Sequence, residues 1–185
     1  MTPAANASIQ SINVLIVIDT EYVKAHNPKQ NNPNPNNPVG IDHNSQFMIA
    51  NDPRGIIKGQ GTADLNFKAN SGDLVGFTGV SIYDNSDDAV IVYGITKFGG
   101  VNVFNPFTLN TITRKNAAYP NPNSPTNNGI PALNGPLNFN ALSSIVANSG
   151  TENFQVLFAL YTLGSDGNTQ SLYGYFSWDP TITVQ

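Results

Sequence analysis

A succession of short strand-like segments, separated by turn-forming residues, restricts this chain to a β-rich fold. The clearest segment is residues 63–69, where Leu65 and Phe67 alternate with Asp64 and Asn66. This period of two is typical of a strand with one buried face and one hydrated face. The segment ends at an Asn-Ser-Gly-Asp sequence, which predicts a turn.

The next two segments predict a long antiparallel hairpin. Residues 74–83 and 89–98 are rich in Val, Ile, Phe and Tyr, and residues 84–88 between them are polar. Two apolar strands joined by a polar connection are typical of a β-hairpin. The connection holds three of the twelve acidic residues, so we expect any chemistry of this region to lie there.

A third strong signal lies near the N-terminus, where residues 11–18 include five consecutive apolar residues. A continuous apolar run predicts a strand with both faces covered, either inside the fold or at a subunit interface. Weaker or later strand patterns follow along the rest of the chain, at residues 47–50, 56–58, 108–114, 153–163, 171–178 and 182–184.

Two Asn- and Pro-rich segments predict long loops. Residues 26–40 contain four Asn-Pro pairs, and residues 116–135 contain four further Pro residues. Pro lacks a backbone donor and restricts the residue before it, so helix and central strand are both unfavourable there. After the second segment, the near-helical spacing of apolar residues in 139–146 predicts one short helical turn.

Together these segments predict an all-β fold with about nine strands. We interpret it as an antiparallel β-sandwich, wound as a jelly roll or an immunoglobulin-like domain, with long Asn/Pro-rich loops. Residues 1–10 are interpreted as a flexible N-terminal arm, and residues 11–185 as a single domain. The period of two leaves the strand order open.

Charge and composition exclude several classes of function. The net charge of −4 argues against non-specific nucleic-acid binding, which requires clustered Lys and Arg. No apolar run is long enough to span a membrane, and no secretory signal is visible. Because the chain has no Cys, disulfides and thiolate zinc sites are excluded. We therefore expect a cytoplasmic location and leave non-classical export open.

The acidic connection is the candidate metal site, because Asp84, Asp87 and Asp88 carry the oxygen ligands that calcium prefers. Its start resembles a helix-loop-helix calcium loop, but Ala89 stands where that motif needs Gly, so the motif is rejected. Calcium binding by another kind of loop is left open, and no other cofactor is expected. The alternative is a turn held by its own side-chain hydrogen bonds.

Two other segments are candidates for ligand binding. They are Asp42-His43-Asn44, beside the first Asn/Pro segment, and Trp178-Asp179, at the end of a predicted strand. Carboxylates, amides and an exposed aromatic ring together suit a carbohydrate. The structural alternative is a hydrogen-bonded turn for the first segment and a core position for Trp178.

Catalysis has little support in the sequence. Nucleophilic hydrolysis needs a base beside the nucleophile, and neither histidine, His26 or His43, lies in a catalytic motif. The Gly-Gln-Gly sequence at residues 59–61 lacks the third glycine of a dinucleotide-binding fingerprint. A carboxylate pair for glycoside hydrolysis is left open. We therefore expect a protein that is not an enzyme.

Five motifs in order cover nearly the whole chain: VIDTEYV at 17–23, GIDHNSQ at 40–46, GQGTADL at 59–65, NSDDAV at 85–90 and GYFSWDP at 174–180. They resemble the AidA/PixA inclusion body protein family of bacteria. The resemblance implies an abundant protein of host-associated Gram-negative bacteria, regulated by cell density or phase, with no established catalytic residues. One branch of this family forms intracellular crystalline inclusions and is rich in Met, whereas this chain has two Met.

We therefore expect a self-associating protein of the inclusion-body type, a homo-oligomer that acts in host association or at high cell density. Its low charge agrees with dense association, since 27 Asn stand against 20 charged residues. The alternative is a lectin-like module that binds glycans with the assistance of calcium.

Overall fold

The computed structural model describes residues 8–51 and 54–184, which form twelve strands and one short helix. The helix, α1, is Thr20–His26. The strands are, in chain order, β1 Ser11–Ile18, β2 Val39–Gly40, β3 Gln46–Ala50, β4 Ile56–Lys58, β5 Asn66–Phe67, β6 Leu74–Ser81, β7 Ala89–Gly100, β8 Thr108–Asn121, β9 Gly129–Ile145, β10 Gly150–Leu163, β11 Gln170–Trp178 and β12 Thr181–Val184.

The strands form two large sheets and one small sheet. The first large sheet has the order β3-β1-β6-β9-β8, in which β1 and β6 are parallel and the other neighbours are antiparallel. In the second, β10 pairs with β7, β11 and β12, and β2 extends the edge along β11. Strands β4 and β5 form the small sheet. The predicted all-β class is confirmed. The prediction of a purely antiparallel fold with about nine strands is wrong, because twelve strands are described and β1 pairs in parallel with β6, as β11 does with β2. The sandwich and its jelly-roll or immunoglobulin-like winding stay a prediction.

One hydrophobic core serves both large sheets, because alternate residues of their strands point inward. Phe77 of β6 meets Phe154 of β10 edge to face, with ring centroids 6.3 Å apart, so the core crosses from one sheet to the other. Further along β10, Phe158 contacts Phe176 and Trp178 of β11. The strands predicted at residues 153–163 and 171–178 are confirmed as β10 and β11, which pair as an antiparallel hairpin.

Local capping explains α1, which the sequence analysis did not predict. The side chain of Asp19 accepts a hydrogen bond from the backbone N–H of Tyr22 and so caps the first turn. Glu21 lies in the first turn and Lys24 lies in the last, where each charge complements the helix dipole. A helix of seven residues is too short for hydrophobic periodicity to reveal it.

The long hairpin predicted from residues 74–83 and 89–98 is wrong in its pairing. Both segments are strands, but β6 pairs with β1 and β9, whereas β7 pairs with β10 in the other sheet. The two strands therefore pack face to face. A Cβ atom at Gly79 would lie 2.3 Å from the side chain of Val92, so glycine is required for this close approach.

The second predicted loop is also wrong. Residues 116–135 lie largely within β8 and β9, which pair antiparallel and are joined by a tight turn before Gly129. The helical turn predicted at 139–146 is the last part of β9. Pro and Asn are tolerated here because β8 is an edge strand and both faces of this ribbon meet solvent.

The exposure of β1 differs from its predicted environment. Its residues alternate between exposed and buried, and Leu15 is 41% exposed despite lying within the apolar run. Of the two predicted environments, full burial inside the fold is therefore wrong for this face, and a subunit interface stays a prediction.

The predicted N-terminal arm, residues 1–10, falls mostly outside the described residues. Gln10 is described: its backbone N–H donates to the Asp73 carboxylate, and its carbonyl accepts from the backbone N–H of Leu74. No described helix is long and apolar enough to cross a membrane.

Candidate functional site

Three loops bring together His43, Asp64 and Asp179, which we call the histidine cluster. The Nδ1 atom of His43 lies 3.0 Å from the Asp64 carboxylate, and its Nε2 atom lies 3.0 Å from the Asp179 carboxylate. The three residues belong to three different motifs of the family resemblance, so chain segments more than a hundred residues apart meet at one imidazole. His43 and Asp179 were predicted site residues, whereas Asp64 was not.

The geometry fits a protonated imidazole, in which each ring nitrogen carries a hydrogen that it can donate to its carboxylate. Burial opposes the charged form of His43. The hydrogen bonds and the charges of Asp179 and Asp64 outweigh burial and raise the pKa of His43 above its usual value. A neutral ring could donate to only one of the two carboxylates and would turn a lone pair toward the other.

A second hydrogen-bonded group adjoins the histidine cluster. The Tyr22 hydroxyl donates to Asp42, and the side-chain amide of Asn44 donates to the Tyr22 oxygen. The Asp42 carboxylate also accepts from the backbone N–H of Asn44, which is the predicted turn. On its other side, the Tyr22 ring stacks on the ring of His26 at 4.0 Å. Asp42, His43 and Asn44 therefore lie on one exposed rim, and ligand binding at this rim stays a prediction.

Trp178 lies beneath this rim, in the core. It is 2% exposed, and its indole N–H donates to the carbonyl of Ala63 at 3.2 Å. The next backbone contact, from the N–H of Ile41 to the carbonyl of Ser177, ties the same strand end to the segment that carries His43. Trp178 thus supports the histidine cluster from below and presents no exposed ring to a ligand.

The acidic connection between β6 and β7 is held mainly by internal bonds. Asp88 is buried and forms an ion pair of 2.8 Å with Lys24 of α1. The Asn85 side chain accepts from the backbone N–H groups of Ser81 and Val90. The Gln170 amide donates to three carbonyls of the same connection, which fixes it against β11. These contacts agree with the structural alternative to a metal site, which is a turn held by side-chain hydrogen bonds.

The predicted metal ligands Asp84, Asp87 and Asp88 are neighbours in sequence, but Asp88 is directed toward Lys24. Among the described residues, no group of three His, Asp or Glu side chains has a geometry that could hold a metal ion. Calcium binding at this connection stays a prediction.

Two cavities, of about 510 and 540 Å³, lie away from the histidine cluster. The first contains Glu152, whose carboxylate accepts from the backbone N–H groups of Val103 and Phe104 and is therefore satisfied within the chain. The second is a groove between β6 and the base of the β8–β9 ribbon. Neither cavity is lined by a predicted site residue.

Exposed apolar side chains also lie on the ribbon, whose residues 110–140 we call the arm. In the register of β8 and β9, Ile112 faces Phe139, Arg114 faces Leu137 and Tyr119 faces Leu133. Since alternate residues of a strand share a face, these pairs form one apolar side of the arm. Phe139 is 50% exposed and Ile112 is 51% exposed, so this side lacks cover within the described chain.

At the base of the arm, the opposite side is polar. The Thr111 hydroxyl donates to the side chain of Asn140, and the Thr113 hydroxyl donates to the side chain of Asn138, both at 2.7 Å. These cross-strand pairs form a hydrogen-bonded ladder that suits solvent. The arm is therefore amphipathic. A strand signal was present in the sequence, because Leu137-Asn138-Phe139-Asn140 alternates with a period of two. The Pro and Asn content of the segment nevertheless led to the prediction of a loop.

The histidine cluster makes a prediction about pH. The raised pKa of His43 stabilises the fold fully below the unfolded value of about 6.5 and loses that effect as the pH rises through the folded pKa. We expect the melting midpoint to fall by about 2–4 °C between pH 6 and pH 9, the size of a partly screened interaction of about 1 kcal/mol. Thermal unfolding of the native chain and of His43→Asn measures this, and the variant should lose the dependence.

The matched control is His26→Asn, which removes the other histidine and leaves the cluster intact. It should retain the fall in midpoint. Equal pH dependence in the native chain and in His43→Asn would refute the assignment of the effect to His43.

Comparison with known proteins adds two findings. A family model described as "PixA: Inclusion body protein" matches residues 10–184. The chain is also similar to the crystal structure of an inclusion body protein (PixA) from Burkholderia cenocepacia J2315, with a TM-score of 0.77 and 33% sequence identity. That similarity covers 98% of this chain and 99% of the Burkholderia chain. No curated protein matches the sequence.

Proposed function

Because the chain belongs to the PixA inclusion body protein family, we propose that it is a non-enzymatic protein that self-associates into intracellular inclusions. The observation that carries this proposal is the apolar side of the arm, which is exposed along its length. An isolated two-stranded ribbon is at best marginally stable in water. The arm therefore gains stability when a second molecule covers its apolar side.

The surface around the arm supports dense packing of copies. Charged residues make up 11% of the chain, well below the roughly 25% that is usual in soluble proteins. Copies with few charges repel one another weakly and lose little charge hydration on contact. Asn side chains supply hydrogen-bonding surface without charge, as in the polar ladder of the arm.

The proposal is tested by breaking the central cross-strand pair of the apolar side. Ile112→Asn with Phe139→Asn places two polar groups where we expect contact with another copy. We expect association to weaken by about 100-fold or more, since burial of each side chain contributes about 1.5 kcal/mol or more. Sedimentation equilibrium over a wide concentration range measures the effect.

The control is Thr111→Ala with Asn140→Ala, a cross-strand pair one position away on the polar side. It should leave association within a few-fold of the native value. A native chain that stays monomeric at the highest soluble concentration, or unchanged association in the apolar-side variant, would overturn the proposal.

The family resemblance extends the proposal to cell physiology. We propose that the protein accumulates at high bacterial cell density and acts in association with a host. Its amount per cell, followed by quantitative immunoblotting through growth, should rise several-fold on entry into stationary phase. A constant amount through growth would contradict this part of the proposal.

A second candidate function, carbohydrate binding, is favoured by the exposed rim. Asp42, His43 and Asn44 converge there with the stacked rings of Tyr22 and His26. A ligand that binds only the native state raises the melting midpoint by mass action. Thermal unfolding with a panel of sugars, with calcium and with EDTA, should show a shift for one sugar class that Asp42→Ala with Asn44→Ala removes. No shift with any sugar would eliminate this candidate.

A further inference from the structure

The apolar side of the arm continues across the first large sheet. We call the combined surface the outer face. The rest of the first large sheet, which we call the body, consists of β1, β3, β6 and the last part of β9. It contributes exposed or half-exposed apolar residues that point away from the core, namely Leu15, Val17, Phe47, Ile49, Leu74 and Ile145. The arm contributes Ile112, Tyr119, Leu133, Leu137 and Phe139.

The strand register places these apolar pairs on one side of the sheet. Leu15 pairs with Ile49, Val17 pairs with Phe47, and Leu74 pairs with Ile145, so each row joins neighbouring strands on the same side. The row that joins Asn13, Gly76, Ser143 and Thr108 across neighbouring strands is called the middle row. A Cβ atom at Gly76 would lie within 4 Å of the side chains of Asn13, Ser143 and Ala141. Gly76 therefore leaves a shallow centre between the body and the arm.

The outer face is nearly free of charge. Of the charged residues whose strand positions the structure describes, Arg114 is the one that shares a side with its apolar residues. No acidic residue at a described position of these five strands shares this side. Two copies that approach through the outer face keep their acidic surfaces apart, which lowers the electrostatic cost of contact.

We propose that the outer face is a two-fold interface with a second copy of this chain, in which the arm of each copy covers the body of the other. This inference rests on the proposed self-association and specifies its surface and symmetry. In a two-fold contact the same patch is used by both partners, so it must be self-complementary. A neutral apolar patch meets that condition, and the exchange of arms keeps the two Arg114 side chains away from each other.

The area of the outer face matches what a stable dimer needs, whereas the arm alone does not. From strand spacings, residues 129–140 of β9 make the arm about 40 Å long and about 10 Å wide, or about 400 Å². Three body strands add about 300 Å². A stable interface buries about 800 Å² on each partner, so both parts are required.

The sheet edges favour contact through the face over contact through an edge. At the free edge of β8, the register shifts between Arg114 and Ala117, and Lys115 lies within the irregularity. Bulges and Lys are devices that discourage edge pairing. The opposite edge, at β3, is already covered, because Met48 exchanges backbone hydrogen bonds with Gly61 and Thr62.

The inference also accounts for the composition of β1. A strand with one face in water normally alternates apolar and polar residues, but residues 14–18 are all apolar. Leu15 and Val17 point away from the core, and no described segment covers them. A second copy on the outer face gives these side chains a partner.

The test separates this inference from the proposed function by mutating the body part of the outer face. Leu15→Asn with Ile49→Asn alters one cross-strand pair and leaves the arm unchanged. We expect association to weaken by about 100-fold, as for the arm pair. The control is Phe98→Asn, which is 57% exposed but lies on β7 in the other sheet. It should associate like the native chain.

If the arm pair weakens association and the body pair does not, the inference fails and the proposed function stands. If neither pair has an effect, both fail. Circular dichroism and the melting midpoint of each variant must show a folded monomer, and a milder substitution, Leu15→Thr alone, replaces any variant that unfolds.

The symmetry is tested by disulfide cross-linking, which the absence of Cys makes selective. Asn13→Cys, Thr108→Cys and Ser143→Cys place one thiol each along the middle row of the outer face. Near a two-fold axis a residue meets its own copy, so at least one of these variants should form a disulfide dimer in high yield. Association without a cross-link at any of the three positions would refute the two-fold arrangement.

Discussion

Replacing Trp178 with Ala is expected to lower the free energy of unfolding by about 4 kcal/mol, within the range for large aromatic residues removed from a core. The indole is 2% exposed and packs edge to face on Phe158 at 6.0 Å. The substitution would leave a cavity beneath the histidine cluster and the Ala63 carbonyl without its donor. Urea unfolding monitored by circular dichroism gives the free energy.

Two variants control this prediction. Phe98→Ala removes an aromatic side chain that is 57% exposed on β7 and should cost less than about 1 kcal/mol. Trp178→Phe keeps most of the apolar volume but loses the indole donor, so its cost should lie between the other two. A loss below about 1 kcal/mol for Trp178→Ala would contradict the burial of this side chain.

Asp73→Asn is the second substitution from which we expect a large loss of folding stability. The Asp73 carboxylate is buried, forms two hydrogen bonds with the Arg54 guanidinium, and accepts from the backbone N–H groups of Gln10 and Asn70. An amide in its place would leave the guanidinium without a charged partner and would turn donors toward donors. We expect a loss of about 3 kcal/mol, the lower end of the range for broken buried pairs because Arg54 keeps contact with solvent.

The same carboxylate makes the stability of the native chain depend on pH in the acidic range. The hydrogen bond from Arg54 is the main cause that lowers the pKa of Asp73 to about 2, and the backbone donors add to it against the effect of burial. The unfolded value is near 3.9, so the stabilisation is complete above pH 4 and is lost as the pH falls toward 2. The variant should lose less stability over this interval than the native chain does.

Asp166→Asn is the matched control, because the pKa of Asp166 is also lowered to about 2, by hydrogen bonds from Thr169 and Asn168. That carboxylate lies in the exposed turn between β10 and β11, where it organises only neighbouring residues. Its replacement should be clearly less destabilising at neutral pH. Equal losses for the two variants would show that the link from Asp73 to Arg54 contributes nothing beyond a local turn.

The sequence predicted strands well where apolar residues alternate or run together. The pattern in residues 63–69 correctly predicted that Leu65 and Phe67 would be buried, but it was wrong for Asn66, which lies on the predicted hydrated face and is also buried. Only Asn66–Phe67 forms a strand. Pairing could not be predicted in the same way. Residues 74–83 and 89–98 have the pattern of a hairpin, yet the face-to-face packing at Gly79 assigns them to different sheets. Periodicity specifies which side of a strand is buried and leaves its neighbour unspecified.

The candidate site was predicted in part. Asp42, His43 and Asn44 are on the exposed rim, and Asp179 joins them through His43. Asp64 was missed because it is 21 residues away in sequence and was interpreted only as the hydrated side of a strand. Asp73 was interpreted as part of a turn, and nothing in a local pattern reveals that its carboxylate binds Arg54.

The arm was missed because composition and periodicity disagree in residues 116–140. Pro and Asn lower the propensity for a central strand, but β8 has a free edge and the arm has solvent on its polar side. In such a ribbon, the alternation of side chains matters more than the propensity of each residue. The alternation also identifies the surface on which the proposed function depends.

Amide hydrogen exchange of the native chain at low and high protein concentration tests the central claim most directly. If a second copy covers the apolar side of the arm, the amides of β8 and β9 in residues 110–140 exchange more slowly as concentration rises. The amides of β10, in the core of the other sheet, remain unchanged and serve as the internal reference. Equal exchange of the arm at both concentrations, in a sample that sedimentation shows to be associated, would contradict the claim.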